Sequence, residues 1–311
     1  MAHEVETMAY AGETPWHGLG VPVLSDLTPA QMLDKAGLNW SVDKVPAYVK
    51  LGDQEIATGQ SALVRSSDNA ILSNVSDDWK PVQNETAFEF FNDFVEAGDM
   101  DMHTAGSLRG GRNVWALAKV KDSFSILGGD KVESYLLFSN PHEYGKCIDI
   151  RFTPIRVVCN NTLTLSLNGK SDLMVRLNHR RAFDAEMVKQ TLGIASNKLN
   201  TYKEAAEFLS SKRYNFDNLV TYLKDVFPSL TKKDNTVMSR PAETALSVMD
   251  SQPGAQYGEG TWWQAFNAVT YTTDHLLGQS PETRLQSAWY GQNRQRKVQA
   301  LEKAIEFAEA A

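Results

Sequence analysis

The stretch that most constrains this chain runs from Val132 to Leu163, VESYLLFSNPHEYGKCIDIRFTPIRVVCNNTL. Residues 132–139 are aliphatic, aromatic and β-branched, which predicts a strand. Asn140-Pro141-His142-Glu143-Tyr144-Gly145 has turn composition, because Asn and Gly accept unusual dihedrals and Pro fixes φ. A second strand is expected over 146–158. There Cys147, Asp149, Arg151 and Thr153 alternate with Ile148, Ile150 and Phe152, the period of a half-buried strand. Pro154 cannot donate to a ladder, so an edge or a bulge is expected at that point. Asn160-Asn161-Thr162 offers helix-capping side chains, and a short helix carrying Leu163, Leu165 and Leu167 is expected to follow.

On either side the same logic extends the pattern. Thr28-Pro29 opens a helix that Gly37 ends. Strands are expected over 38–50, 61–65 and 70–75, the last two joined by a Ser-Ser-Asp-Asn turn. A helix of about 14 residues from Glu85 would present Phe88, Phe91, Phe94 and Val95 on one face. Met100–Val120 reads as a hairpin turning at Arg109-Gly110-Gly111-Arg112, and 172–179 as a last strand. From Asp184 the chain turns helical, with helices over 184–210, 215–226, 241–249 and 261–277, and a final one opened by Ser280-Pro281-Glu282. The expected fold is α+β. A mostly antiparallel, hairpin-rich sheet backed by helices occupies 1–182, with a basic middle, and a helical region over 183–311 packs on it.

Several stretches together resemble a family of phage- and plasmid-encoded proteins, the phage/plasmid-like family (domain of unknown function 932). They are TPIRVVCNNTL, TPWHGLGVPV (14–23), VSDDWKPVQNETAFEF (75–90), GTWWQAFNAVTYTTDH (260–275) and WYGQNRQRKVQALEKA (289–304). The resemblance implies a mobile-element setting in a bacterial host and a task connected with DNA.

Charge is distributed unevenly. The net charge is −7, yet His103–Arg181 carries a surplus of six positive charges and the remainder a deficit of thirteen. A basic, strand-rich middle suits an anion-binding groove; chance segregation on a two-sided sheet explains it equally. Arg109, Arg112, Lys146, Arg151, Arg156, Arg176, Arg180 and Arg181, with Tyr135 and Tyr144, form the candidate nucleic-acid-binding set. Lys and Arg track phosphates, and an aromatic ring stacks a base for about 1–3 kcal/mol. The arrangement is similar to phage strand-annealing proteins at the level of fold. That likeness implies single-stranded DNA as ligand, annealing or recombination as activity, and a homo-oligomer as working state. The alternative is a non-enzymatic factor that binds a phage or host protein, such as a host-defence inhibitor or a replication accessory.

Other classes find less support. There is no P-loop and no GxGxxG motif. Two cysteines and six histidines match no zinc spacing, and no cofactor is expected. Cys159 with His142 or His179, and Asp149 with Glu143, are the only sets offering a nucleophile or paired carboxylates. Neither is fixed by spacing, so catalysis is the weaker reading. His17 beside Gly18 and Gly20 reads as a packed turn anchored by Trp16. No apolar run of about 18 residues exists and the first residues lack a signal-type core, so a cytoplasmic protein without a membrane span is expected.

Overall fold

The computed structural model describes residues 5–12, 19–127, 129–156, 161–162, 174–229, 237–278, 287–288 and 291–310. The chain divides into two compact units. The first comprises residues 1–121, 136–151 and 174–192, and the second 122–135, 152–173 and 193–311. The division cuts through strands, three of which pass from one unit into the other.

The fold is α+β with mostly antiparallel sheets and a helical C-terminal region. In chain order the first elements are β1 (Val5–Ala11), β2 (Val21–Val23), α1 (Pro29–Lys35), β3 (Val42–Leu51), β4 (Gln54–Arg65) and β5 (Ile71–Ser76). There follow α2 (Asn84–Glu89), α3 (Asn92–Glu96), β6 (Met100–Leu108), β7 (Asn113–Ile126), β8 (Asp130–Pro141), β9 (Ile148–Arg156), β10 (Asn161–Thr162) and β11 (Met174–Leu177). The large sheet has the order β10-β9-β8-β7-β6-β1-β2, with β11 also on β9, and a second sheet has the order β3-β4-β5.

Local chemistry explains most boundaries in the first unit. Thr28 caps α1 through a reciprocal capping box with Gln31, Pro29 occupies the first turn, and Gly37 leaves the helix at φ 69°. The β6–β7 turn takes Arg109, Gly110 and Gly111 through positive φ. Gly106 has a different reason: a Cβ there would lie 2.4 Å from the Thr7 carbonyl and 2.4 Å from the Trp115 ring. The sheet thus needs a residue without a side chain where β1 and the Trp115 indole close over β6.

The expected helix from Glu85 is broken in two at Phe90-Phe91. One helical face cannot point 88, 90 and 91 inward together, and all three phenylalanines are buried. Phe90 packs edge-on against Phe91 and Phe138, each at 5.4 Å between ring centres. Under the smaller sheet, Val42, Leu63, Leu72, Val75 and Trp79 form a separate cluster.

Pro154 lies where β9 changes partners. β11 pairs with residues 148–151 and β10 with 155–156, so the missing N–H falls in the gap between them. The helix expected after Asn160 does not begin there: Asn161 and Thr162 instead add a strand to β9, and Leu163, Leu165 and Leu167 lie outside the described residues.

In the second unit, α4 spans Ala185–Ser211 after beginning in the first, followed by α5 (Phe216–Val226), α6 (Arg240–Ser247), α7 (Trp262–Tyr271) and α8 (Gln292–Glu309). Asn215, Ser239 and Thr261 cap α5, α6 and α7 through their side chains. Trp262, Tyr222 and Phe307 form an aromatic core. Polar side chains along α7 are internal. Trp263 donates its indole N–H to Asp130 at 2.8 Å, and Asn267 is fully buried. After α7 a π-helical turn, Thr272–Leu276, carries Asp274 to within 2.7 Å of Lys297 Nζ, a buried ion pair. Lys297 is therefore a core residue. Ser280, Pro281 and Glu282 lie outside the described residues.

Candidate nucleic-acid interface

β6 ends at the turn of residues 109–112 and β7 begins there. β8 ends and β9 begins at the turn of residues 142–147, and β11 ends beside the start of β9, with Leu177 opposite Ile148. Antiparallel pairing thus gathers three connections at one end of the first unit's sheet. They are tied to one another. The His142 amide donates to the Arg112 carbonyl at 2.8 Å, and the Tyr144 amide donates to Ser73 Oγ at 3.1 Å.

Behind these turns lies a polar core. The extended segment 80–84 supplies every second residue as a partner, as strand-like geometry requires. The Lys80 carbonyl meets His179 Nδ1 at 3.2 Å, the Val82 carbonyl accepts from Asn140 Nδ2 at 2.8 Å, and Asn84 Oδ1 meets His142 Nε2 at 3.1 Å. Asn84 Nδ2 donates to the carbonyls of Leu38 and Trp40, so its oxygen is an acceptor and His142 carries its proton on Nε2. His179 stacks on Trp79 at 4.0 Å, and Trp40 meets His142 edge-on at 5.6 Å. Burial holds His142 down at about 3, helped by the neighbouring His179. Burial likewise holds His179 down at about 4, although the Lys80 and Pro141 carbonyls favour its protonated ring. Both imidazoles are neutral at pH 7. They brace the turns that carry the exposed cations.

The candidate residues separate into groups. Arg112, Tyr144, Lys146, Arg176 and Arg181 are exposed at this end, with Tyr144 60% accessible. Among the described residues Arg112, Lys146, Arg176 and Arg181 have no acidic partner within ion-pair reach. Arg180 is exposed but pairs with Asp78 at 3.0 Å, and Arg109 pairs with Glu143. Two members leave the set. Arg151 is buried and pairs with Asp149 at 3.2 Å. Tyr135 is buried with its hydroxyl donating to Glu133 at 2.8 Å, and burial pushes that hydroxyl's pKa upward. Neither can meet a strand, because β8 and β9 are buried on both faces around these positions. Arg156 belongs to β9, but its side chain lies outside the described residues.

Lys80 was not singled out by sequence reasoning. It is exposed, and its amide donates to the His179 carbonyl while its own carbonyl meets the His179 ring, which places it beside Arg180 and Arg181. Nothing in the local sequence DDWKPV marks it; only the tertiary pairing does.

Of the residues considered for catalysis, His142 is fully buried, Glu143 and Asp149 are each engaged by an arginine, and Cys159 lies outside the described residues, as does His17. Among the described residues no group of three or more His, Cys, Asp or Glu is gathered to hold a metal ion, and no helix is long and apolar enough to cross a membrane.

No curated protein and no solved structure matches the chain. A family model does, over residues 71–303, a span that takes in the buried histidines, their Asn84 and Trp79 partners and every member of the exposed basic set. The chain belongs to that family, the Domain of unknown function (DUF932).

Proposed function

We propose that the protein binds single-stranded DNA at the turn end of its first unit. One observation carries the reading: Arg112, Lys146, Arg176, Arg181 and the ring of Tyr144 are all exposed on the connections and strand ends gathered at one end of the sheet, while the acids Glu143 and Asp78 are already engaged by Arg109 and Arg180. The local field is therefore positive although the chain as a whole is acidic. Cations spaced around an aromatic platform follow a flexible backbone and stack its bases without selecting sequence. A duplex offers phosphates to the same cations but no free base to Tyr144, so the single strand is the better ligand. Annealing of complementary strands, in the replication or recombination of a mobile element, is the activity such a surface would serve.

The test is fluorescence anisotropy with a labelled oligonucleotide of about 40 nucleotides, long enough to span several binding sites, over a series of salt concentrations. Affinity should fall steeply with salt. In the Arg112→Ala/Lys146→Ala variant the log–log slope should shrink by about 1.4, since each single-strand phosphate contact contributes roughly 0.7. Tyr144→Ala should weaken binding at every salt concentration without changing that slope. Absence of binding at low salt, or a slope unmoved by the double substitution, would overturn the reading.

A further inference from the structure

Arg109 stands in an unusual backbone conformation, at φ 56°, and is followed by Gly110 at 65° and Gly111 at 82°. A residue with a Cβ is strained in this region and stays there only where its surroundings hold it. Here the side chain reaches across to the neighbouring turn, where Glu143 Oε2 accepts from Arg109 Nη2. The His142 amide on the Arg112 carbonyl ties the same two turns through their backbones.

Exposure sets this pair apart from the other two pairs made by candidate arginines. Arg151 and Asp149 are sealed, with 9% and 10% of their side-chain surface accessible. Arg180 and Asp78 lie open at 65% and 55%, and salt screens such a pair. Arg109 and Glu143 keep 21% and 26%, so they hold each other and are still within reach of a ligand in water. The tips of both turns stand clear: a Cβ on Gly110 or Gly145 would meet nothing within 4 Å.

We infer that Glu143 is a built-in competitor of phosphate, a latch that withholds Arg109 from the strand-binding surface. The inference rests on the strand-binding reading and names the regulation of that site. A carboxylate and a phosphate offer a guanidinium the same kind of charged oxygen acceptors. Glu143 therefore takes on Arg109 the place of a backbone phosphate. It directly precedes Tyr144, so the competitor sits in the same turn as the aromatic platform. Being tethered, it acts at a high effective concentration without a partner molecule. While the latch is closed, a strand is held through fewer contacts than the arginines could make. That suits a surface that must give the strand up to its complement.

Salt-series anisotropy with the same labelled oligonucleotide tests the latch on the wild type, Glu143→Gln, Arg109→Gly/Glu143→Gln and Glu55→Gln. Gln keeps the shape of Glu143 without its charge, and Gly fits the positive φ at 109. Circular dichroism checks that each variant keeps the wild-type fold, and Glu143→Ala stands in for Glu143→Gln if Gln disturbs the turn. Glu143→Gln should bind more tightly, with a log–log slope steeper by about 0.7, the equivalent of one more phosphate contact. Adding Arg109→Gly should return the slope to the wild-type value. Glu55→Gln removes one negative charge from the exposed β3–β4 hairpin and should leave the slope at the wild-type value. A Glu143→Gln slope no steeper than the wild type, equal steepening in Glu55→Gln, or a steep slope that survives Arg109→Gly would each overturn the latch while strand binding itself stands. Absence of wild-type binding at low salt would overturn the strand-binding reading and the latch with it.

Discussion

Titration of the two buried histidines gives a sharp prediction. His142 and His179 have folded-state pKa values of about 3 and about 4, both below the ordinary 6.5. A depressed histidine favours the neutral form, so the folded state resists protonation while the unfolded state accepts it. Stability is therefore complete above pH 6.5 and is lost as pH falls from 6.5 towards the folded values. The loss is about 1.4 kcal/mol per pH unit for each ring. Between pH 7.5 and 5 each histidine should remove about 2 kcal/mol, and the pair about 4 kcal/mol. Carboxylates with depressed pKa values do not interfere, since Asp68, held at about 2 by Arg65, acts well below this window. Urea unfolding of the wild type at pH 7.5, 6.5, 5.8 and 5.0 measures the slope, these points being spaced across the histidine range. His142→Gln keeps an amide donor for Asn84 but cannot titrate. It should lower stability at pH 7.5 through imperfect packing while flattening the pH dependence by about half. His179→Gln should take most of the remainder. A His142→Gln profile parallel to the wild type would refute the argument, since it would mean that His142 is protonated equally in both states.

Other consequences follow from single contacts. Gly106→Ala places a methyl group 2.4 Å from the Thr7 carbonyl and the Trp115 ring, so denaturant unfolding should show a loss of about 1–3 kcal/mol, as for other overpacked sites. Trp115→Ala, at a position 1% exposed, should cost about 3–5 kcal/mol; a loss under about 1 kcal/mol would contradict its place in the core. Lys297→Met should cost about 3–5 kcal/mol by removing the cation from a buried ion pair. Adding Asp274→Asn should restore part of that loss, and thermal unfolding of the two variants reads the difference.

Much of the first unit was legible in sequence because it is encoded locally. Thr28-Pro29 and Gly37 bracket α1, Gly110-Gly111 turn β6 into β7, and alternation from Cys147 to Thr153 marks β9. These signals act within a few residues and need no distant partner. The β3–β4 hairpin was half missed. Its outer strand from Gln54 to Gln60 lacks an apolar alternation, because it faces water on both sides and pairs only with β3. The helix expected through Phe88–Val95 failed for the opposite reason: burial of Phe90 and Phe91 against Phe138 outweighed helical continuity.

For the candidate interface the sequence alone identified a basic middle and the turns that display it. It could not sort the members. A strand residue's face follows from register, and register is settled by partners far along the chain. Register alone is not enough: Arg176 stands opposite Asp149 and so shares a face with Arg151, yet Arg151, on β9, is buried against Asp149 while Arg176, on the flanking β11, is exposed. Lys80 joined the exposed set, and His142 and His179 became its buried brace, only through pairings across 58 and 99 residues. Composition and turn chemistry determined which segments this chain would extend and fold back. Tertiary packing decided which charges remain in water, because burial is a property of the assembled layers and no short stretch of sequence contains it.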